Sequence, residues 1–168
     1  MREKVLAAQG EHRDEAEFER LWALPEDERL ERAAELLTGA PDDPRVLFEV
    51  AGAHDAAGRE AEAVDLYERA LARGLREPHR HRAQLQLASS LRNLGRLDSA
   101  ATLVAQLRQE RTESAAVSAF AALIALDAGL ADHAVADLID ALLARATDDD
   151  TRLYRAALTR YAAELRGG

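Results

Sequence analysis

One spacing recurs three times and leaves few folds open. Gly58, Gly95 and Gly129 lie 37 and 34 residues apart, and each is followed five positions on by an alanine, Ala63, Ala100 or Ala134. Four residues after each alanine stands a larger apolar side chain, Tyr67, Val104 or Leu138, and three further on comes Ala70, Leu107 or Ala141. Twelve positions before each alanine is another, Ala51, Ala88 or Ala122. A unit of this length that repeats its small and large apolar positions reads as two helices joined by a turn, stacked on copies of itself. Glycine ends the first helix, where a positive φ costs it least. The small residues let two helix backbones approach, and the large one fills the hole they leave. In "GREAEAVDLYERAL", residues 58–71, Ala63, Tyr67 and Ala70 therefore form the expected contact face of a second hairpin helix.

Composition supports helix throughout. Alanine, leucine, arginine and glutamate dominate, all of them good helix formers, and the few glycines and prolines fall mostly between the apolar-periodic segments. Hydrophobic residues reach 48%, enough for a core in a chain of 168 residues. With 22 basic residues against 31 acidic ones the net charge is −9. That balance disfavours phosphate backbones and anionic lipid, so neither nucleic acid nor a membrane is an expected partner. Lys4 is the one lysine among the basic residues, which otherwise are arginines, with their planar fork for carboxylates. The absence of cysteine excludes disulfides, thiolate nucleophiles and cysteine metal sites. "MREKVLAAQGEHRDE" has no apolar core of signal-peptide length, and no run approaches the roughly 20 apolar residues of a membrane span. A soluble cytoplasmic protein is the expectation.

The period and pattern resemble the tetratricopeptide repeat. More narrowly, "YERALARGL" followed by "RAQLQLASSLRNLGRLDSA" is similar to the small bacterial tetratrico peptide repeat group 5 proteins, over roughly Asp43 to Leu165. Some positions depart from the family pattern: His54, Leu91 and Ala125 stand where an aromatic is usual, and the proline closing the first repeat comes late, at Pro78. The resemblance implies an all-α fold, a right-handed α-solenoid of helix-turn-helix hairpins with a C-terminal capping helix. It implies no established activity.

The expected organisation is a single domain over 1–168. A degenerate N-terminal helix pair covers 11–39, followed by repeats at 43–77, 80–113 and 114–147 and a capping helix at 148–166. In the N-terminal pair Phe18, Leu21 and Trp22 share a face, and Pro25 opens a second amphipathic helix carrying Leu30, Ala33, Ala34 and Leu37. Asp43–Pro44 reads as an N-cap and first helical residue. At the other end Tyr154, Leu158, Tyr161 and Leu165 form the single apolar stripe a cap needs. About nine helices result, counted as four hairpins and the cap.

By the resemblance, five positions of each first helix line a concave surface. They are Arg45, Phe48, Gly52, Asp55 and Ala56 in the first repeat, and Arg82, Leu85, Ser89, Arg92 and Asn93 in the second. The third repeat supplies Ala116, Ala119, Leu123, Leu126 and Asp127. The second repeat also stands out on spacing alone. Arg82, Gln86, Ser89 and Asn93 recur at i, i+4, i+7, i+11 with Arg92 beside them, apart from the core stripe of Leu87, Leu91 and Leu94. Guanidinium, amide and hydroxyl groups in one row can hold a carboxylate or a peptide backbone. The expected partner-binding groove is Arg45, Arg82, Gln86, Ser89, Arg92 and Asn93. The alternative is that the row satisfies loop carbonyls or lies under a helix of the same chain. Relatives that clamp a carboxylate use Lys and Asn at several of these positions. This chain lacks that full set, so the clamp is not carried over.

Other chemistry is thinly signalled. His79 and His81 lie two apart, do not share a helix face, and have no evident third ligand, so no metal and no cofactor is expected. His54–Asp55 and Asp132–His133 are sequence neighbours that read as a core edge and a helix start. Asp42–Asp43 and Asp148–Asp149–Asp150 precede helices, where carboxylates satisfy free N–H groups. No nucleophile elbow, phosphate loop or H-E-x-x-H motif occurs. The reading is a non-catalytic interaction module that binds a peptide or partner protein, with an acidic or C-terminal carboxylate fitting the arginines. It would be a monomer or homodimer. The alternative is a homo-oligomer joined through the Trp22 helix or the Tyr154/Tyr161 helix, and a ligand-binding regulator or enzyme stands third.

Overall fold

The computed structural model describes residues 15–111 and 114–167. Residues 11–14 of the expected N-terminal pair and 112–113 at the end of the second repeat lie outside the described residues. The described residues form nine helices and no strand. They are α1 at 15–23, α2 (Glu26–Gly39), α3 (Pro44–Ala56), α4 (Glu60–Ala72), α5 (His79–Asn93), α6 (Leu97–Glu110), α7 (Ala115–Asp127), α8 (Ala131–Arg145) and α9 (Asp149–Gly167). The chain forms two compact units, Met1–Ala83 and Gln84–Gly168, with the boundary inside α5.

Helix ends follow from local chemistry. Asp43 caps α3, accepting the N–H groups of Arg45 at 2.8 Å and Val46 at 3.0 Å, and Pro44 sits at the first position, where its missing N–H is no loss. Asp148 caps α9 in the same way, accepting from the Thr151 N–H at 2.8 Å and its hydroxyl at 2.7 Å. Ser114 opens α7. Four helices close alike. Gly58, Gly74, Gly95 and Gly129 all have φ between 68° and 81°. After each, the next N–H reaches back five residues: Arg59 to His54, Leu75 to Ala70, Arg96 to Leu91 and Leu130 to Ala125, at 2.8–3.1 Å. This is the Schellman closure, which satisfies carbonyls the helix leaves open.

In the first unit α3 is the central element. It packs against both α2 and α4, which leaves every residue from Val46 to Ala53 buried. Ala63, Tyr67 and Ala70 on α4 are fully enclosed, so the small-large-small face does what its spacing requires. The Tyr67 ring meets Phe48 with centroids 6.2 Å apart, and Phe48 in turn meets His79 at 5.3 Å. Phe18 and Leu21 of α1 complete this core.

In the second unit α7 packs on α6 and α8, and α9 packs on α8. Ala100, Val104 and Leu107 are buried on α6, matching the face read in the first repeat. On α8 the match fails. Leu138, in the register of Tyr67, is 47% exposed. Tyr67 is covered by Phe48, whereas the equivalent position on α7 is Ala119, itself exposed, so nothing of that bulk is there to cover Leu138. On α9 the buried line runs through Ala162 with Leu158 and Leu165 half-buried, and Tyr154 and Tyr161 of the expected stripe stand at its rim.

Candidate partner-binding surfaces

Arg45 is the most heavily engaged of the expected groove residues. Its guanidinium lies 4.4 Å from the Phe18 ring centroid and 5.6 Å from that of Phe48. It pairs with Glu15 at 3.0 Å and with Glu49 one turn on. Arg82 is exposed on the first turn of α5. Near it, His79 is half-buried, and burial together with the charges of Arg45 and Arg82 holds its imidazole below the ordinary histidine range. The hydrogen bond from Arg45 keeps Glu15 below the usual carboxylate range.

The other four residues occupy the last turns of α5, in the second unit. Of the expected core stripe, Leu87 and Leu91 are buried with Ala88 on one side, but Leu94, at the helix end beside the closing Gly95, is 41% exposed. Gln86 and Ser89 are half-buried on the other, and Asn93 is exposed. The side-chain oxygen of Gln86 is buried and accepts no hydrogen bond among the described residues. Arg92 is committed to α7, with its Nε 2.6 Å from an Asp127 carboxylate oxygen. A charge reversal at Arg92 therefore puts two carboxylates together as well as removing a cation. On α7 the implied surface is apolar: Leu123 and Leu126 are 40% and 53% exposed, and no ionisable residue occurs from Ala115 to Leu126.

Two arrangements were not legible in the sequence: the seat of Trp22, whose apolar face was read, and the partners of Asp137. Trp22 lies over Gly52, where a Cβ would come within 3.0 Å of the indole, so an implied surface position of the first repeat is floored by glycine and covered by α1. The indole N–H donates to Glu49, Arg29 lies over the ring at 5.0 Å from its centroid, and Trp22 as a whole is 40% exposed. The available signal was a lone glycine inside a helix, which usually has a packing reason. Asp137 of α8 is the second case. Burial pushes its carboxyl up, but hydrogen bonds from Arg108 at 2.5 Å and Arg166 at 2.8 Å outweigh that and hold it below the usual carboxylate range. Arg166 also binds Asp140 at 2.7 Å, so one network joins α6, α8 and α9.

Burial lowers His54 as it does His79, and pushes the enclosed Tyr67 phenol well above its ordinary value. Among the described residues no three His, Cys, Asp or Glu side chains are placed to share a metal ion. No helix among them is long and apolar enough to cross a membrane.

Successive helical hairpins with glycine-closed first helices define a helical-repeat protein, a class that presents side chains on a rigid scaffold. A family model for the tetratrico peptide repeat matches residues 44–165, most of the chain. The chain belongs to the tetratricopeptide repeat family, of the group 5 type. Members of this family are generally non-catalytic scaffolds for protein–protein interaction. Comparison with curated proteins gives no match.

Proposed function

We propose that this chain is a non-catalytic scaffold that binds a peptide segment of a partner protein along the polar row of α5. Arg82 attracts an acidic group, Gln86 and Ser89 engage the peptide backbone, and Asn93 extends the row. Arg45 and Arg92 act mainly by fixing their own helices, through the Glu15/Glu49 and Asp127 pairs. The observation that carries the reading is the half-buried Gln86, set between the exposed Arg82 and Asn93, whose side-chain oxygen accepts no hydrogen bond among the described residues. A buried acceptor without a donor is costly, and rotation of the half-buried Gln86 amide toward the surface would let a peptide N–H pair with it.

An array of acidic and C-terminally free peptides tests this against wild type, Arg82→Glu and Gln86→Leu, all matched for helicity. Peptides retained by wild type should lose about tenfold in affinity with either variant, the scale of one hydrogen bond to a charged or buried group. Equal retention by all three proteins refutes the assignment to α5.

A further inference from the structure

We propose that α8 and α9 join two copies of this chain about a two-fold axis, the aliphatic stripe of α8 in one copy seated on the tyrosine stripe of α9 in the other. Val135, Leu138 and Leu142 of α8 and Tyr154 and Tyr161 of α9 are all between 47% and 59% exposed. At about 100° per residue the three α8 side chains fall within an arc of roughly 60°, and the two tyrosines within roughly 20°. Polar contacts tie the two helices to each other: Arg166 binds Asp137 and Asp140, and Arg155 binds the carbonyls of Leu143 and Ala146. The two aspartates lie more than roughly 120° around α8 from the middle of its stripe, and the two arginines more than roughly 100° around α9 from the tyrosines. The helix pair is thus closed along a polar edge and open along an apolar one. This contact is independent of the α5 row.

The fold covers this face elsewhere. Aligned on Gly58, Gly95 and Gly129, Leu138 stands at the position of Tyr67 and Val104, and Val135 at that of Val64. Tyr67, Val104 and Val64 are all buried. The third repeat also gains apolar bulk here: Ile139 takes the position of Glu68 and Ala105, and Leu142 that of Leu71 and Arg108. A face left to water at the edge of a helical stack is polar, because solubility requires it. This one grows more apolar where its cover is lost, which is the pattern of an interface.

Area, charge and self-complementarity select a second copy as the occupant. The five exposed side chains present on the order of 500 Å², close to the apolar share of the roughly 800 Å² that each partner buries in a standard interface. Across α8 and α9 six acidic residues stand against five basic ones, a net charge of −1, which leaves −8 of the chain's −9 on the remaining residues. Two copies meeting here add little repulsion, although the chain as a whole repels its like. Each chain also carries both halves of the contact, aliphatic side chains on one helix and aromatic rings on the next. A two-fold axis uses both at once: each copy gives its α8 stripe to its partner's α9 and receives the reverse.

Sedimentation equilibrium of the full chain, from roughly micromolar to 0.1 mM, should return twice the 18.4 kDa of one chain. Leu138→Arg/Leu142→Arg and Tyr154→Glu/Tyr161→Glu should each keep their helicity and raise the dissociation constant roughly thirtyfold or more, the scale of one lost hot-spot side chain. An equimolar mixture of the two variants should pair again, because one stripe contact is then intact and the other sets arginine against glutamate. If a double variant loses helicity, Leu142→Arg and Tyr154→Glu carry the same test singly. Gln86→Leu should leave the wild-type mass unchanged. A single-chain mass for wild type at the highest concentration overturns the proposal. A double mass kept by both variants also overturns it, since another face, such as that of Trp22, then joins the copies. A mixture that stays monomeric overturns it too, since the two stripes then do not meet.

Discussion

Glu49 is the sharpest place to test the packing of the first unit. It is 5% exposed, accepts the indole N–H of Trp22, and pairs with Arg45 one turn away on α3. Glu49→Gln keeps the shape and leaves an oxygen for Trp22, so it removes only the charge facing Arg45. Breaking a buried pair from one side typically costs about 3–5 kcal/mol. Arg45 retains Glu15 and a side chain 20% exposed, which brings the expected loss to about 2 kcal/mol. Glu49→Leu also strands the indole N–H, for about 1 kcal/mol more. The double variant Arg45→Met/Glu49→Leu removes both charges, and an apolar replacement of a buried pair is often near neutral, so it should recover about 2 kcal/mol of the summed losses. Urea unfolding, followed by circular dichroism and by the emission of Trp22, the chain's one tryptophan, measures all of this. Emission should move red in Glu49→Leu and hold its place in Glu49→Gln. If Glu49→Gln unfolds at the wild-type urea concentration, or if the double variant loses the sum of the single losses, the pair does not hold α3 as described.

Gly52→Ala sets a gain in helix propensity of about 1 kcal/mol against a Cβ placed 3.0 Å from an indole that Glu49 and Arg29 also hold. Overpacking of this kind costs about 1–3 kcal/mol, so a net loss with altered Trp22 emission is expected, and a stabilised variant with unchanged emission would show that the indole is free to move. The imidazoles of His54 and His79 both sit below their ordinary range, first because they are buried. The unfolded chain therefore takes up protons first, and their contribution is complete above about pH 6.5 and is lost as pH falls below it. Stability should decline from about pH 7 to 5 in wild type, and more gently in His54→Gln/His79→Gln, as urea midpoints would record.

What could be read from the chain depended on how local the cause was. The hairpins were legible because Ala63, Tyr67 and Ala70 encode their contact in one helix, and because each closing glycine needs a positive φ where it stands. Leu138 has the same spacing and yet is half exposed, because burial also needs a neighbour, and Ala119 does not replace Phe48. Trp22 could be placed on an apolar face, but its seat on Gly52 depends on how two helices meet. The polar row on α5 was visible as a pattern; that Arg92 is spent on Asp127 was not, since the two lie on different helices. Asp137 was invisible for a similar reason: Arg108 and Arg166 each lie 29 residues from it.

The four Schellman closures have a consequence in time. Each is complete within a few residues of its glycine, and in both units packed helices are neighbours in sequence: α2 on α3, α3 on α4, α6 on α7, α7 on α8, α8 on α9. A chain whose contacts are mostly short-range closes few long loops before its structure begins to hold, and such topologies fold in microseconds to milliseconds. Any hairpin can serve as the starting point, and growth then proceeds by adding the next helix to an edge already formed. Newly made chain can therefore begin to organise as each hairpin leaves the ribosome, without waiting for the residues still to come.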